Sequence, residues 1–190
     1  MNKTVVIASD HAGFELKQNI IETVEEAGCK VIDVGAFSKE SSDFPDFVQL
    51  GAEKIKSGKA DVGIFLCGSG VGVCIAANKI PGIYASVCHD TYSAHQGVEH
   101  DGMNVLCLGA RIIGPELANE LVKAFLGAAF NNKPNQIRRF NKIKQIEAGD
   151  LYLINRIEAL RDIGQSVWLD QANRCQLKNG ELVKMIEKVR

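Results

Sequence analysis

The sequence lacks the features of a nucleic-acid-binding or membrane protein. Its formal net charge is −1, and no stretch concentrates lysine and arginine, so nucleic acid and membrane surfaces are poor candidates as main partners. The apolar run near the N-terminus is too short for the core of a signal peptide or for a transmembrane helix. We therefore expect a cytoplasmic protein that binds neither a membrane nor nucleic acid.

Several signatures of metal and cofactor sites are missing as well. The six cysteines include no CxxC pair, and with no export signal this favours reduced thiols over disulfides. No Gly-Lys-Ser/Thr of a Walker A loop occurs, and no metal-ligand spacing such as HxxxH is present. We expect neither a metal ion nor an organic cofactor.

The sequence does contain a regular alternation of short β-branched runs and amphipathic stretches. The runs suit strands buried on both faces of a parallel sheet, and they cover residues 5–8, 31–34, 62–67, 83–88 and 105–108. Helical patterns cover residues 14–27, 45–57, 71–79, 91–98, 115–129 and 134–148. This order predicts an α/β fold, a three-layer α/β/α sandwich with a five-stranded parallel sheet.

The pattern changes near Gly149, because only helical spacing follows. We expect residues 1–149 to form the α/β domain and residues 150–190 to form a C-terminal helical extension. A segment of that length cannot close a hydrophobic core alone.

Side chains that can bind a ligand or transfer a proton follow four of the predicted strands. The carboxyl ends of parallel strands meet at one edge of a sheet, where ligands bind. The segments at this edge are Asp10-His11, Cys67-Gly68-Ser69-Gly70, His89-Asp90 and Gly109-Ala110-Arg111. They predict a ligand site there, although His89 is as readily an ordinary loop histidine as a substrate contact.

The segment Cys67-Gly68-Ser69-Gly70-Val71-Gly72 leaves a strand and opens a helix. Its glycines allow a sharp turn that presents several N–H groups to one point, and the positive end of the helix adds to that field. Such a cradle suits an oxygen that becomes anionic during a reaction, and it favours a thiolate at Cys67. Cys67 is then a nucleophile, or a base that removes a proton next to a carbonyl.

Two other interpretations of this segment stay open. Cys67 could simply end a buried strand, as most cysteines in such runs do. The loop could also bind a dinucleotide through GxGxxG, but the third glycine is replaced by Val73. Asp90, twenty residues after Gly70, favours this interpretation because a ribose-binding acid lies at such a position.

Three further motifs accompany the glycine loop in a fixed order. They are Ser9-Asp10-His11-Ala12-Gly13-Phe14, Ala76-Ala77-Asn78-Lys79, and Asn104-Val105-Leu106 through Gly109-Ala110-Arg111. Together the four motifs resemble ribose-5-phosphate isomerase type B, a family that shares its fold with the galactose-6-phosphate isomerase subunits. The resemblance runs from about Lys3 to Gly149. It implies an intramolecular oxidoreductase that interconverts ribose 5-phosphate and ribulose 5-phosphate, or a related C4–C6 aldose and ketose phosphate, without a cofactor.

The resemblance also implies roles for individual residues. Cys67 would take a proton from C2 of the open-chain sugar and return it at C1, while Ser69 would help to move hydroxyl protons. His100 would open the furanose ring. The enediolate oxygen would be held by N–H groups around Gly68, Ser69, Gly70 and Gly72. Some relatives carry a glutamate base at the position of Val73. Valine cannot act as a base, so this position has no such role here.

The resemblance also implies which residues bind the substrate, and they come from both ends of the matching region. Asp10 would bind sugar hydroxyls, and the phosphate would be held by His11, Arg111 and Arg139. Two positions depart from the family. Asp101 stands where the family usually has asparagine, next to the substrate hydroxyls. Asn135 stands where the family places an arginine, a loss for which Arg138 or Lys133 would compensate.

Members of the family are dimers or tetramers in which two chains build each site. We expect a homodimer or homotetramer here, with His100 and Arg111 facing the neighbour's Cys67. The main alternative function is a non-catalytic sugar-phosphate or nucleotide-binding protein on the same fold.

The C-terminal segment resembles the opening of bacterial-type transaldolases, through Asn155-Arg156-Ile157, then Gly164 to Asp170, then Asn179-Gly180-Glu181-Leu182. No barrel strand follows these residues. The chain is thus part of an isomerase–transaldolase fusion, or it has a tail that packs, docks a partner such as a transaldolase module, or is inert.

Overall fold

The computed structural model describes residues 3–149 of the chain. Its strands are β1 (Thr4–Ser9), β2 (Lys30–Asp33), β3 (Val62–Cys67), β4 (Ala85–Val87) and β5 (Val105–Gly109). Its helices are α1 (Phe14–Glu26), α2 (Phe44–Lys56), α3 (Val71–Ala77), α4 (Thr91–Asp101), α5 (Pro115–Gly127) and α6 (Pro134–Glu147). The strands form one parallel sheet in the order β2-β1-β3-β5-β4. The predicted α/β fold is confirmed, while the predicted helical extension, like its resemblance to transaldolase, lies outside the described residues.

Most helices end where the sequence predicts, and glycine explains two of the ends. Gly28 follows α1 with φ of 75°, a left-handed conformation that stops a helix at little cost. α4 runs to Asp101, three residues beyond its prediction, because Gly102 with φ of 70° caps it there. β4 is shorter than predicted, since it lies at the edge of the sheet and pairs only with β5.

Alternating side chains of the strands fill two separate hydrophobic layers. Helices α1, α4 and α5 cover one face of the sheet with residues such as Ile20, Ala94 and Leu121. Helices α2 and α3 cover the other face with residues such as Val48 and Val73. Helices therefore shield both faces of the central strands from water. This explains why these strands consist of continuous runs of apolar residues.

The register of the sheet brings three strand ends together. Ser9 pairs with Leu66, and Cys67 pairs with Gly109. The residues that directly follow β1, β3 and β5 therefore meet at the carboxyl edge of the sheet, as the sequence predicts.

The chain divides into two compact units. The first ends at Ile137, and the second begins at Arg138. Helix α6 thus starts in the first unit and continues in the second. The predicted domain boundary at residue 149 stays a prediction. No helix within residues 3–149 has the length and apolar character needed to cross a membrane.

Candidate active site

Cys67 is the last residue of β3 and is 5% exposed. It belongs to the apolar layer under α2 and α3, and its Sγ accepts a hydrogen bond of 3.1 Å from the N–H of Gly70. This contact joins the sulfur to the backbone of the loop three residues further on. The sulfur of a buried strand residue is thus turned into the glycine loop that follows it.

The loop after Cys67 depends on the absence of side chains at two positions. Gly70 has φ of 79°, and a Cβ there would lie 3.0 Å from the carbonyl carbon of Leu108. A Cβ on Gly72 would lie 2.9 Å from the ring of Phe44. The loop is therefore packed between β5 on one side and an aromatic ring on the other, and only glycine fits at both points.

The backbone N–H groups of this loop are the candidate donors for a substrate oxygen. The hydroxyl of Ser69 accepts a 3.3 Å hydrogen bond from the N–H of Val71, and this contact shapes the turn. Within residues 3–149, the N–H groups of Gly68, Ser69 and Gly72 have no protein acceptor. Such donors suit an oxygen that gains negative charge.

Asp10 follows β1 and organises the turn that carries His11. Its Oδ1 accepts hydrogen bonds from the N–H groups of Ala12 at 2.9 Å and Gly13 at 3.1 Å. Its own N–H donates to the carbonyl of Leu66 at 3.3 Å, which ties this turn to β3 beside Cys67. Asp10 and Cys67 therefore lie on neighbouring strand ends.

His11 is held by Ser42, a residue that the sequence did not suggest for the site. The N–H of Ser42 donates to His11 Nδ1 at 3.1 Å, and the Ser42 hydroxyl accepts from the His11 N–H at 3.1 Å. Nδ1 also lies 3.3 Å from the carbonyl oxygen of Ser42, so Ser42 contacts His11 through both its backbone and its hydroxyl group. Ser42 directly precedes Asp43, the N-cap of α2, whose side chain makes no cap bond.

The loop that carries Ser42 begins at an ion pair between a buried lysine and a partly exposed aspartate. Lys17 is fully buried, and its Nζ donates to both carboxylate oxygens of Asp33 at 2.6 and 2.7 Å. A third bond of 2.7 Å goes to the carbonyl of Ala36. All three protons of the ammonium group are satisfied, so the start of the loop is fixed.

Arg111 lies against the glycine loop of its own chain. Its N–H donates to the carbonyl of Gly68 at 3.0 Å, and a Cβ on Gly68 would lie 3.4 Å from Arg111 Nε and Nη1. The N–H of Ala110 donates to the carbonyl of Cys67 at 2.9 Å. The side chain of Arg111 thus lies at the loop of its own chain, and its predicted position facing the neighbour's Cys67 stays a prediction.

His89 supports the loop through the end of β5. Its Nε2 accepts a 3.2 Å hydrogen bond from the N–H of Gly109. A Cβ on Gly109 would lie 2.6 Å from the carbonyl oxygen of Ser69, so this strand end packs directly on the loop. The structure thus gives His89 a protein partner at the carboxyl edge.

His100 does not lie with these residues. α4 begins at Thr91, after β4 has reached the carboxyl edge, and ends at Asp101, shortly before β5 begins at the opposite edge. A helix of eleven residues spans about 16 Å at ~1.5 Å per residue. His100 and Asp101 are therefore at the amino edge of the sheet, and one chain does not bring His100 to its own Cys67.

The ring of His100 is oriented by its own helix. Its side chain is 33% exposed. Nδ1 is 2.9 Å from Nε2 of Gln96, an amide that can only donate. The neutral ring therefore carries its proton on Nε2, which lies 3.9 Å from Glu99 Oε2. Gln96 is a second residue that the sequence did not suggest.

Arg138 and Arg139 are exposed residues of α6 and belong to the second compact unit. Their predicted contact with the phosphate stays a prediction. Within residues 3–149, no group of three or more His, Cys, Asp or Glu side chains could hold a metal ion.

Comparison with known proteins gives one family match. The Ribose/Galactose Isomerase family matches residues 5–143. The chain is 42% identical to ribose-5-phosphate isomerase B of Escherichia coli over 145 residues, which cover 76% of this chain and 97% of that protein. It is 43% identical to D-erythrulose-4-phosphate isomerase of Pectobacterium atrosepticum over 128 residues, which cover 67% of this chain and 84% of that protein.

Solved structures agree with the sequence matches. A crystal structure of ribose-5-phosphate isomerase B from Mycoplasma genitalium with bound ribulose 5-phosphate superimposes with a TM-score of 0.71 at 38% identity. The match covers 76% of this chain and 96% of that one. The fold and the length of these relatives agree with the described part of the chain.

Proposed function

The chain belongs to the ribose/galactose isomerase family, and from this membership we propose that it interconverts ribose 5-phosphate and ribulose 5-phosphate. It is an aldose–ketose isomerase of sugar phosphates. Relatives that act on ribose 5-phosphate and on erythrulose 4-phosphate have nearly the same identity to this chain. A tetrose phosphate is therefore the second substrate to test.

We propose Cys67 as the base that carries out the proton transfer. In the direction from aldose to ketose, its thiolate removes the proton on C2, and the carbonyl oxygen on C1 becomes an enediolate oxygen. The hydroxyl proton on O2 then passes to O1 with the help of Ser69, and the thiol returns its proton to C1, which leaves the carbonyl on C2. The observation that supports this role is the 3.1 Å hydrogen bond from Gly70 N–H to Sγ in a loop with further unpaired N–H groups. These N–H groups would stabilise the enediolate.

We propose that the remaining groups bind the substrate at the same edge. Asp10 would contact sugar hydroxyls, while His11 and Arg111 would hold the phosphate. Arg139, together with Arg138, is a further candidate for the phosphate. Guanidinium groups suit a phosphate because they form paired hydrogen bonds with it.

We propose that the working enzyme is at least a dimer in which His100 acts on a substrate bound at the partner's glycine loop. The placement of His100 at the amino edge supports this, since ring opening requires a proton donor within hydrogen-bond reach of the ring oxygen. Asp101, the next residue, would then contact the hydroxyls of that same substrate. The predicted cytoplasmic location stays a prediction.

A panel of aldose phosphates from C4 to C6, assayed in D₂O without added metal or nucleotide, tests the function. We expect the ketose to form and deuterium to appear at C1 of the ketose. Binding of sugar phosphates without any exchange of carbon-bound hydrogen would contradict the proposal. That result would instead support a non-catalytic sugar-phosphate or nucleotide-binding protein.

A further inference from the structure

Lys17 of α1 is a charged side chain without any exposure to water. Its ammonium group donates to both carboxylate oxygens of Asp33 and to the carbonyl of Ala36. Lysine is almost never fully buried unless it is paired, and replacing a buried ion pair with neutral groups of similar size often leaves stability unchanged or raises it. The pair therefore calls for a role other than stabilising the fold.

The ammonium group contacts the segment between β2 and α2, residues 34–43, which we call the β2–α2 loop. Backbone bonds to β1 hold the first part of this loop, because the N–H of Ser9 donates to Gly35 at 2.6 Å and the N–H of Ala36 donates to Ser9 at 2.5 Å. Lys17 holds what comes next. Its Nζ bonds the Ala36 carbonyl at 2.7 Å and lies 4.9 Å from the centre of the Phe37 ring, although Phe37 is 71% exposed.

The remainder of the β2–α2 loop has few polar attachments. Within the described part of the chain, residues 37–42 make hydrogen bonds or ion pairs to other segments at only two points. One is the ion pair between Lys39 and Glu15, whose side chains are 65% and 76% exposed, and an exposed pair of this kind adds little. The other is the set of contacts between Ser42 and His11.

We propose that Lys17 is a positioning residue for the phosphate site, because it fixes the β2–α2 loop in the place from which Ser42 orients His11. The proposal rests on the proposed function, which assigns the substrate phosphate to His11 and Arg111. Lys17 itself does not touch the substrate, since it is fully buried and all three of its protons are donated within the chain.

Loss of the ammonium group would loosen the loop and leave the glycine loop in place. The carbonyl of Ala36 would lose its hydrogen-bond donor, and water would have to enter beneath the loop to solvate it. Helix α2 has its own anchors, Val48 and Ala52, which are each 1% exposed. The ring of Phe44, which packs on Gly72, belongs to this helix. Phosphate binding should therefore weaken while the proton-transfer chemistry is retained.

The double variant Lys17→Met/Asp33→Asn tests this role. It removes both charges together, so no unpaired charge is left inside, and asparagine can still accept the 2.9 Å bond from the N–H of Gly35. KM for the sugar phosphate should rise about 10- to 100-fold, with kcat within about threefold of its normal value.

A matched control is available on the same two elements. Lys39→Met breaks the other lysine–carboxylate pair between α1 and the β2–α2 loop, which differs from the first pair in being exposed. This variant should keep KM and kcat within about twofold.

Two further measurements separate a positioning role from a merely structural one. The Kd of inorganic phosphate, followed by ³¹P NMR titration, should rise in the double variant by the same factor as KM. In protein labelled with ¹⁵N-histidine, which has four such residues, the His11 ring signals are assigned with His11→Gln. They should shift toward the values of free histidine in the double variant and stay unchanged in Lys39→Met. Urea unfolding should show that both variants are folded.

A folded double variant with normal KM and normal phosphate Kd would overturn the proposal, and so would a loss confined to kcat. Should the double variant fail to fold, Phe37→Ala replaces it, since this change removes only an exposed ring. It should raise KM and the phosphate Kd about threefold, the strength of a cation–π contact, and unchanged values would overturn the proposal. If the unmodified protein isomerises no sugar phosphate, the proposed function fails. The His11 signals then decide the positioning role alone, and identical signals in the double variant and the unmodified protein would exclude it.

Discussion

The two edges of the sheet differ in how much of the active site each contains. At the carboxyl edge, the ends of β1, β3 and β5 hold Asp10, Cys67 and Arg111 together through hydrogen bonds within one chain. At the amino edge, His100 and Asp101 end α4, and the ring of His100 contacts Gln96 and Glu99 of the same helix. The residues proposed for proton transfer thus lie together within one chain, whereas the residue proposed for ring opening lies at the opposite edge.

This difference follows from chain direction. Parallel strands place their carboxyl ends on one side, so any residue that follows a strand is near every other such residue. A helix that connects two parallel strands runs back, so its last residues are at the opposite edge. A group at the end of α4 can serve a site at the carboxyl edge only if a second chain brings the two edges together.

The largest expected effect is at the carboxyl edge. Cys67→Ala should lower kcat by about 10²–10⁴, the contribution of a general base, because no other side chain at the loop can take the C2 proton. Calorimetric titration with a sugar phosphate should show nearly unchanged affinity. Cys88→Ala, which also removes a buried thiol, is the control and should retain activity. Loss of binding in Cys67→Ala would mean that this cysteine is structural.

The next largest effect concerns His100 at the amino edge, the residue proposed to open the sugar ring. His100→Asn should lower kcat for the cyclic substrate by about 10²-fold, and much less for an open-chain analogue. An equal loss on both substrates would remove the ring-opening role.

Mixing the two inactive variants sharpens this test. If Cys67→Ala and His100→Asn chains are unfolded together and refolded, half of the randomly formed dimers contain one of each. Such a dimer has one intact site of two, so about a quarter of the unmodified activity should return. No recovery, with mixed dimers verified by mass spectrometry, would place both residues in a site built by one chain.

A smaller effect concerns the glycine loop. Gly70→Ala forces an alanine into a left-handed backbone conformation, which costs about 1–2 kcal/mol. It also places a methyl group 3.0 Å from the backbone of β5. The crowding adds about 1–3 kcal/mol, and kcat should fall because Gly70 N–H moves away from the sulfur. Gly82→Ala, at the amino edge, has φ of 86° and open space for the methyl group, so it should show only the first cost in urea unfolding and normal kcat. Equal behaviour of both variants would contradict the packing of the loop against β5.

The smallest effect concerns the second sulfur near the carboxyl edge. With a pKa of about 7, the thiolate fraction of Cys74 rises about tenfold from pH 6 to pH 8 and then levels off, whereas an ordinary thiol rises about 75-fold. The rate of iodoacetamide labelling at Cys74, located by fragmentation of the peptide 60–79, should follow the first curve. Cys107→Ala removes the hydrogen bond that lowers this pKa, so its labelling should slow at pH 7. A labelling profile that keeps rising steeply above pH 8 in the unmodified protein would contradict this.

The sequence alone determined the sheet, the positions of its strands and the edge at which the ligand site lies. Local patterns carry this information, because a β-branched run, a glycine at a helix end and a residue after a strand are each properties of a few neighbouring residues. The glycine loop with Cys67, and its neighbours Asp10 and Arg111, could be found in this way.

Only the tertiary structure decided which groups contact each other across elements. The contacts of Ser42 with His11 and of Phe44 with Gly72 join residues that are far apart in the sequence. From the sequence alone, the serine is a loop residue and the phenylalanine is a core aromatic. Pairing between distant segments depends on the sum of many contacts in the folded chain, and no short pattern encodes it.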